Sequence, residues 1–172
     1  MTGNAIGLPF MLARREARAY EQKLLLTKHN LPLVSFCMNI PGPIKTNELI
    51  RRAFDIGEIL LLEALRHVGA EILGASEVHE DTGDELLLAV KGVEPEILKD
   101  IAVNIEQSSP VGRLFDIDVI DADGRKLSRK EFRTCLICGK QAQDCARSRT
   151  HTVQELQQAV DDILSHFLGA LS

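Results

Sequence analysis

The sequence predicts an α+β fold: an antiparallel sheet in the split β-α-β order (βαββαβ), with N- and C-terminal helices and a Cys-rich knuckle. Three observations predict it. Residues 33–40 form an apolar run that Pro41-Gly42-Pro43 stops abruptly, because prolines lack amide donors and the glycine permits a sharp bend. Asp81-Thr82-Gly83-Asp84 separates two strand-like runs and reads as a hairpin turn. In the run from Gly112 to Val119, Phe115, Ile117 and Val119 alternate with Asp116 and Asp118, which reads as a strand with an apolar and an acidic face.

The remaining elements follow in order. Residues 9 to about 28 read as a helix, because Leu12, Ala13, Ala17, Tyr20, Leu24 and Leu25 recur near helical spacing, with Arg14, Arg15, Arg18 and Lys23 around them. Asn30-Leu31-Pro32 ends it. Thr46 or Asn47 caps a second helix that Gly69 closes. Residues 70–80 and 85–91 are the hairpin strands. Glu94-Pro95-Glu96 opens a helix to about residue 107, with proline in the first turn and acids at the positive end of the dipole. Residues 121–124 form a turn after the Asp-Ile-Asp strand, residues 135–151 form the knuckle, and a last amphipathic helix runs from about 153 to 168. Right-handed crossovers give the spatial strand order 4-1-3-2, with both central helices on one face. Residues 41–45, 80–84 and 113–118 then meet at one rim. A nucleotidyltransferase-like mixed sheet is the competing topology.

The chain has 172 residues, 45% hydrophobic and 26% charged, which fits one domain spanning residues 1–172. The formal net charge of −5 argues against a nucleic-acid-binding surface, which needs a basic footprint. No apolar run approaches the roughly 20 residues that span a bilayer, and the first ten residues lack the pattern of a secretory signal. The expectation is a cytoplasmic protein without membrane contact.

Successive same-face residues of a strand lie about 7 Å apart, near enough for Asp116 and Asp118 to converge on one divalent cation. The plainer reading is a sheet with a wet face that tolerates aspartate. Cys135, Cys138, Cys145 and His151 are spaced C-x2-C-x6-C-x5-H, four ligands of the kind that hold structural zinc. The alternative is a loop of reduced thiols. Cys37, inside a strand, reads as core.

Pro41-Gly42-Pro43-Ile44-Lys45, the run from Gly112 to Val119, and the tail Cys135-Leu136-Ile137-Cys138 with Cys145-Ala146-Arg147 and His151 together resemble the apo-citrate lyase phosphoribosyl-dephospho-CoA transferase family. The resemblance runs from about residue 10 to residue 165. It implies transfer from 2′-(5″-triphosphoribosyl)-3′-dephospho-CoA to a serine of the citrate lyase acyl-carrier subunit, with diphosphate leaving. It supports Asp116 and Asp118 as catalytic ligands for Mg²⁺. Arg113 is a candidate phosphate fork or an internal salt bridge. Gly112 lets backbone approach phosphates or simply makes a turn. Lys45, aimed by the Pro-Gly42-Pro corner, is a candidate for the diphosphate or a solvated loop lysine. Arg51 or Arg52 is a candidate to reach the same site. Asp81, Asp84 and Glu106 are candidates for a third acid. Arg147 and Arg149 are candidates for phosphate or carrier contacts, and basic residues of the first helix for carrier docking. The second reading, of a different class, is a non-catalytic zinc-knuckle interaction domain.

Overall fold

The computed structural model describes residues 1–169. The elements are α1 (Leu8–His29), β1 (Leu33–Met38), α2 (Glu48–His67), β2 (Glu71–Glu80), β3 (Gly83–Lys91), α3 (Pro95–Gln107), β4 (Phe115–Ile120), α4 (Ala142–Ser148) and α5 (Val153–Gly169). The sheet order is β2-β3-β1-β4 and every pair is antiparallel, which is the split arrangement. Asn47 caps α2, its side chain accepting from the Ile50 amide at 2.9 Å. Pro95 sits at the start of α3.

The main core lies on one face of the sheet. Val34, Phe36, Leu86, Leu88, Val90, Phe115, Ile117 and Val119 pack there against Phe54, Leu61, Leu65, Leu98 and Ala102 of α2 and α3. Phe36 stacks on Phe54 at 4.7 Å between centroids and meets Phe115 edge-on at 5.4 Å. Val160 and Leu164 of α5 close the core.

Two expectations change. The segment from Gly112 to Leu114 is not strand: Val111–Leu114 is one 3-10 turn, and β4 begins at Phe115. The reason is packing, since a Cβ on Gly112 would lie 2.5 Å from the Ile105 carbonyl oxygen, so the turn is pressed against the end of α3. Residues 142–148 of the knuckle form the short helix α4, which spacing did not announce.

The other face of the sheet is covered by α1. Leu33, Ala89 and Ile120 meet Leu25 and Leu26 in a small apolar cluster. Toward the rim this face becomes polar: Ser35 lies opposite Asp118, and Cys37 lies between Asp116 and Glu85. Beyond Leu25 and Leu26, the orientation of α1 departs from its apolar spacing. Leu12, Tyr20 and Leu24 point to solvent (46%, 63% and 50% exposed), while Arg14 is its one buried residue. Arg14 donates through Nε and Nη2 to Glu85 Oε2 at 3.0 and 2.8 Å and also binds Glu21, and Arg18 donates to Glu85 Oε1 at 3.1 Å. Two arginines on a buried carboxylate outweigh the apolar stripe, because Glu85 left unpaired would carry a desolvated charge.

Candidate active-site cleft and metal centre

Strand alternation places Asp116 and Asp118 on the α1 side of the sheet, and the helix stands off far enough to leave a cleft of about 310 Å³. Its floor is Ser35, Cys37, Asp116 and Asp118, its roof is Arg15, Arg18, Ala19 and Gln22, and Gly124 and Lys126 close one side. Asp116 is 43% and Asp118 25% exposed, whereas the alternating Phe115, Ile117 and Val119 are fully buried. Each carboxylate has one cationic partner: Arg133 Nη2 lies 3.3 Å from Asp116 Oδ1, and Lys126 Nζ contacts Asp118 Oδ2. Both partners come from the loop after β4, and both leave the carboxylates open to the cleft.

Burial pushes the Cys37 thiol up to about 11, so at neutral pH it is a protonated part of the floor. Gln22 Nε2 donates to Ser35 Oγ at 3.2 Å and ties roof to floor.

The chain around residues 39–46 touches both the start of β4 and the hairpin, but residues 41–45 and 80–84 do not line the cleft. The Asn39 amide donates to Leu114 O at 2.7 Å, and Thr46 Oγ1 donates to Asp84 Oδ2 at 3.4 Å. Lys45 turns inward, donating from Nζ to Ile40 O at 2.6 Å, and burial lowers its pKa. Gly42 (φ 82°) leans on α5, where a Cβ would meet Gln157 at 2.5 Å, so its conformation serves packing. Arg51 binds Asp84 through Nε at 3.3 Å and, with Arg52, lines a separate and larger depression of about 480 Å³ that contains neither Asp116 nor Asp118. The larger hollow is therefore not the one with the carboxylate pair.

The other nominated residues have different tasks. Arg113 faces the knuckle, its Nη2 donating to Thr134 O, Thr134 Oγ1 and Cys135 O at 2.9, 2.9 and 3.1 Å. Among the described residues Arg113 makes no salt bridge: its guanidinium gathers carbonyls where the loop has no ladder to satisfy them. Gly112 supports the close turn already described. Glu106 is buried and holds Arg129, Arg133 and the Ile117 amide. Asp84 is buried against His79, Arg51 and Thr46. Asp81 is exposed at the hairpin turn and accepts from Asn4. None of these three lines the cleft.

Arg15, Arg18, Lys126 and Arg133 surround the carboxylates and were not nominated for this site. Arg15, Arg18, Ala19 and Gln22 do carry a signal, the i, i+3, i+4, i+7 spacing of one helical face. That signal is outvoted by the apolar residues on the opposite side.

The knuckle brings the four nominated ligands together. One ligand atom from each of Cys135, Cys138, Cys145 and His151 lies within 4.8 Å of all the others. Cys138 Sγ and Cys145 Sγ are 3.4 Å apart, and His151 Nε2 is buried without a hydrogen-bond partner. Burial favours the protonated Cys135 thiol, yet hydrogen bonds from Cys138 and Ile137 backbone bring it below its usual value. Cys145 is pushed up to about 11, first by its hydrogen bond with Cys138. Such crowded thiols ionise together only around a cation. A tetrahedral ion with metal–sulfur distances of about 2.3 Å fits a cluster of this span, and it would give the orphan imidazole nitrogen a partner. The cluster is a Cys3His group whose donors could hold one metal ion.

An α+β sheet that holds paired carboxylates beneath a cationic helix is a suitable frame for handling phosphate groups. Sequence comparison makes the class specific. The family described as apo-citrate lyase phosphoribosyl-dephospho-CoA transferase matches residues 6–167. A protein of Citrobacter koseri with that description is 36% identical over 167 residues, covering 95% of this chain and 91% of that protein. One from Escherichia coli is 34% identical over 166 residues, covering 94% and 90%. A Vibrio cholerae protein described as a probable member is 35% identical over 163 residues, covering 92% of each chain. The chain belongs to the apo-citrate lyase phosphoribosyl-dephospho-CoA transferase family, and it is an enzyme. That membership decides against the non-catalytic interaction domain. Among the described residues no helix is long and apolar enough to cross a membrane.

Proposed function

We propose that this protein transfers the 2′-(5″-phosphoribosyl)-3′-dephospho-CoA group from its triphosphate donor to a serine of the citrate lyase acyl-carrier subunit, in the cytoplasm. The observation that carries this reading is the Asp116–Asp118 pair, side by side on the floor of an open cleft roofed by arginines. In the reaction a bond forms between the serine oxygen and the α-phosphorus. The bond from that phosphorus to the β-phosphate bridging oxygen breaks, diphosphate leaves with the electron pair, and the serine proton passes to solvent at the cleft mouth.

The carboxylates fit Mg²⁺, since both are partly exposed oxygen donors on one face and each is held by only one displaceable side chain. Mg²⁺ bound there supplies Lewis-acid charge neutralisation of the phosphates. The chain's own residues orient the donor and shape the cleft. Gln22 and Ser35 fix the distance between roof and floor, and the Arg14–Glu85–Arg18 network holds α1 in place. Lys45 belongs to the rim, where it can exchange the Ile40 carbonyl for a phosphate oxygen. Zinc is the metal that best suits the Cys3His cluster, in a structural role because all four positions are filled by protein. Thiols kept as ligands also agree with a reducing compartment.

The test is to incubate the protein with apo-carrier, triphosphate donor and Mg²⁺ and weigh the carrier by mass spectrometry. The expected result is a mass gain of one prosthetic group, abolished by EDTA, restored by excess Mg²⁺, and lost in Asp116→Asn and Asp118→Asn. Undiminished transfer by both variants would refute the assignment.

A further inference from the structure

The geometry points to a diphosphate-binding site built by Arg15, Arg18 and Lys126, which holds the two phosphates that leave. This rests on the transferase reading above and adds residues to it. The first support is the orientation of α1. Only the C-terminal end of α1 buries apolar side chains on the sheet, through Leu25 and Leu26, whereas over the cleft Leu12 and Tyr20 face water and the arginines face inward, so hydrophobic burial does not account for the face presented there.

The second support is the charge balance. Arg14 is consumed by Glu85 and Glu21. Arg18 commits Nη1 to Glu85 while its side chain also lines the cleft. Arg15 lines the cleft as well and has no carboxylate partner among the described residues. Lys126 is engaged only by Asp118. A divalent cation held by the carboxylates would free Lys126, and the cleft would then carry two uncompensated cations, Arg15 and Lys126, beside Arg18, whose charge Glu85 offsets. That excess matches a polyanion bound to the cation. A neutral or cationic ligand would leave it uncompensated.

The third support is shape. Ala19 lies between Arg18 and Gln22 in the roof, and its single methyl lets a phosphate approach α1 closely. Arginine offers forked donors for phosphate oxygens, while Lys126, from the far wall, offers a point charge. The ligand class is therefore a metal-bound diphosphate or the β,γ-end of a triphosphate. The chemistry places it on the side of the cleft away from the incoming serine.

The experiment is calorimetric titration of the full chain with magnesium diphosphate, alongside its use as a product inhibitor of transfer. Arg15→Gln is the main variant, because Arg15 is exposed and supports no described ion pair; Lys126→Met is the second. Each is expected to weaken diphosphate binding roughly tenfold to a hundredfold, the range for losing one charge-assisted contact, and to raise the donor KM in proportion, with melting temperatures at the parent value. Unchanged diphosphate affinity in both variants overturns the site, as does absence of binding by the parent protein. Its failure is separable from failure of the transferase reading. If Asp118→Asn loses transfer while Arg15→Gln and Lys126→Met bind diphosphate normally, only the cationic site falls. If the aspartate variants transfer normally, the underlying reading falls.

Discussion

Replacing Glu106 by glutamine tests how the edge of the sheet is secured. Glu106 is 3% exposed and its Oε1 accepts from the Ile117 amide at 2.7 Å and from Arg133 Nη2 at 2.7 Å, while Arg129 contacts Oε2. Glutamine keeps an oxygen for the Ile117 amide, so the strand contact survives. What is lost is the charge that neutralises two guanidinium groups, of which Arg129 is 19% and Arg133 24% exposed. Removing one member of a buried ion cluster costs about 3–5 kcal/mol, because the partners stay buried without compensation. For a chain of this length each kcal/mol lowers the melting temperature by about 2–4 °C, so a fall of roughly 6–20 °C is expected. The assay is thermal unfolding followed by circular dichroism, with Glu63→Gln as an exposed control that should shift stability by less than about 0.5 kcal/mol. A loss below about 1 kcal/mol for Glu106→Gln, the value of a surface pair, would refute the reasoning.

Gly57→Ala should destabilise by about 1–3 kcal/mol despite alanine's better helix propensity, since its Cβ would lie 2.5 Å from Phe36 Cζ and 3.0 Å from Phe115 Cζ. Urea unfolding midpoints measure this, and a stabilised variant would contradict the packing. His79 is raised above its usual pKa, first by its hydrogen bond with Asp84 and further by Glu77, with Phe54 edge-on beside it. A raised histidine contributes fully below its unfolded pKa of about 6.5, and the contribution is lost as pH climbs through the folded value. The melting temperature of the parent protein relative to His79→Gln should therefore narrow as pH rises from 6 toward 8. A gap that widens with pH would oppose it. The purified chain should carry one zinc by plasma mass spectrometry, and Cys145→Ser or Cys135→Ser should lower both zinc content and melting temperature. Unchanged values for both would end the zinc assignment.

The parts of the fold that were legible are those written in local chemistry. The alternation in β4, the Pro-Gly-Pro stop after β1 and the hairpin turn depend on neighbours in sequence, and the sheet order follows from them. The pairing of β1 with β4 was legible in the split order, and the observed register sets Met38 opposite Phe115. The orientation of α1 was not legible, because it is set by Glu85, 71 residues from Arg14. Apolar periodicity is met only at Leu25 and Leu26, while Leu12, Tyr20 and Leu24 face solvent, as no helix-only pattern contains a buried anion on a distant strand. Lys126 and Arg133 were also hidden. They sit in an irregular loop where no periodicity reports which way a side chain points. The Cys and His spacing named a cluster correctly, because ligand sets are local even when the surrounding loop is not.

The knuckle and the cleft are mechanically connected, and the connection runs along the free edge of β4. An edge strand exposes unpaired backbone groups that must be satisfied or shielded. Here side chains and loop backbone do both: Glu106 accepts from the Ile117 amide, Lys99 donates to Ile117 O, Arg133 donates to Phe115 O, and the Leu127 amide donates to Val119 O. Two of these groups belong to the segment that ends in Cys135, and Arg113 clasps that segment by Thr134 and Cys135. Arg133 stands two residues before the first cysteine and also reaches Asp116. A metal held at Cys135 would therefore limit where Arg133 can go, and with it the charge beside Asp116. Zinc in the Cys3His group would in this way act on the charge in a cleft that the group does not touch.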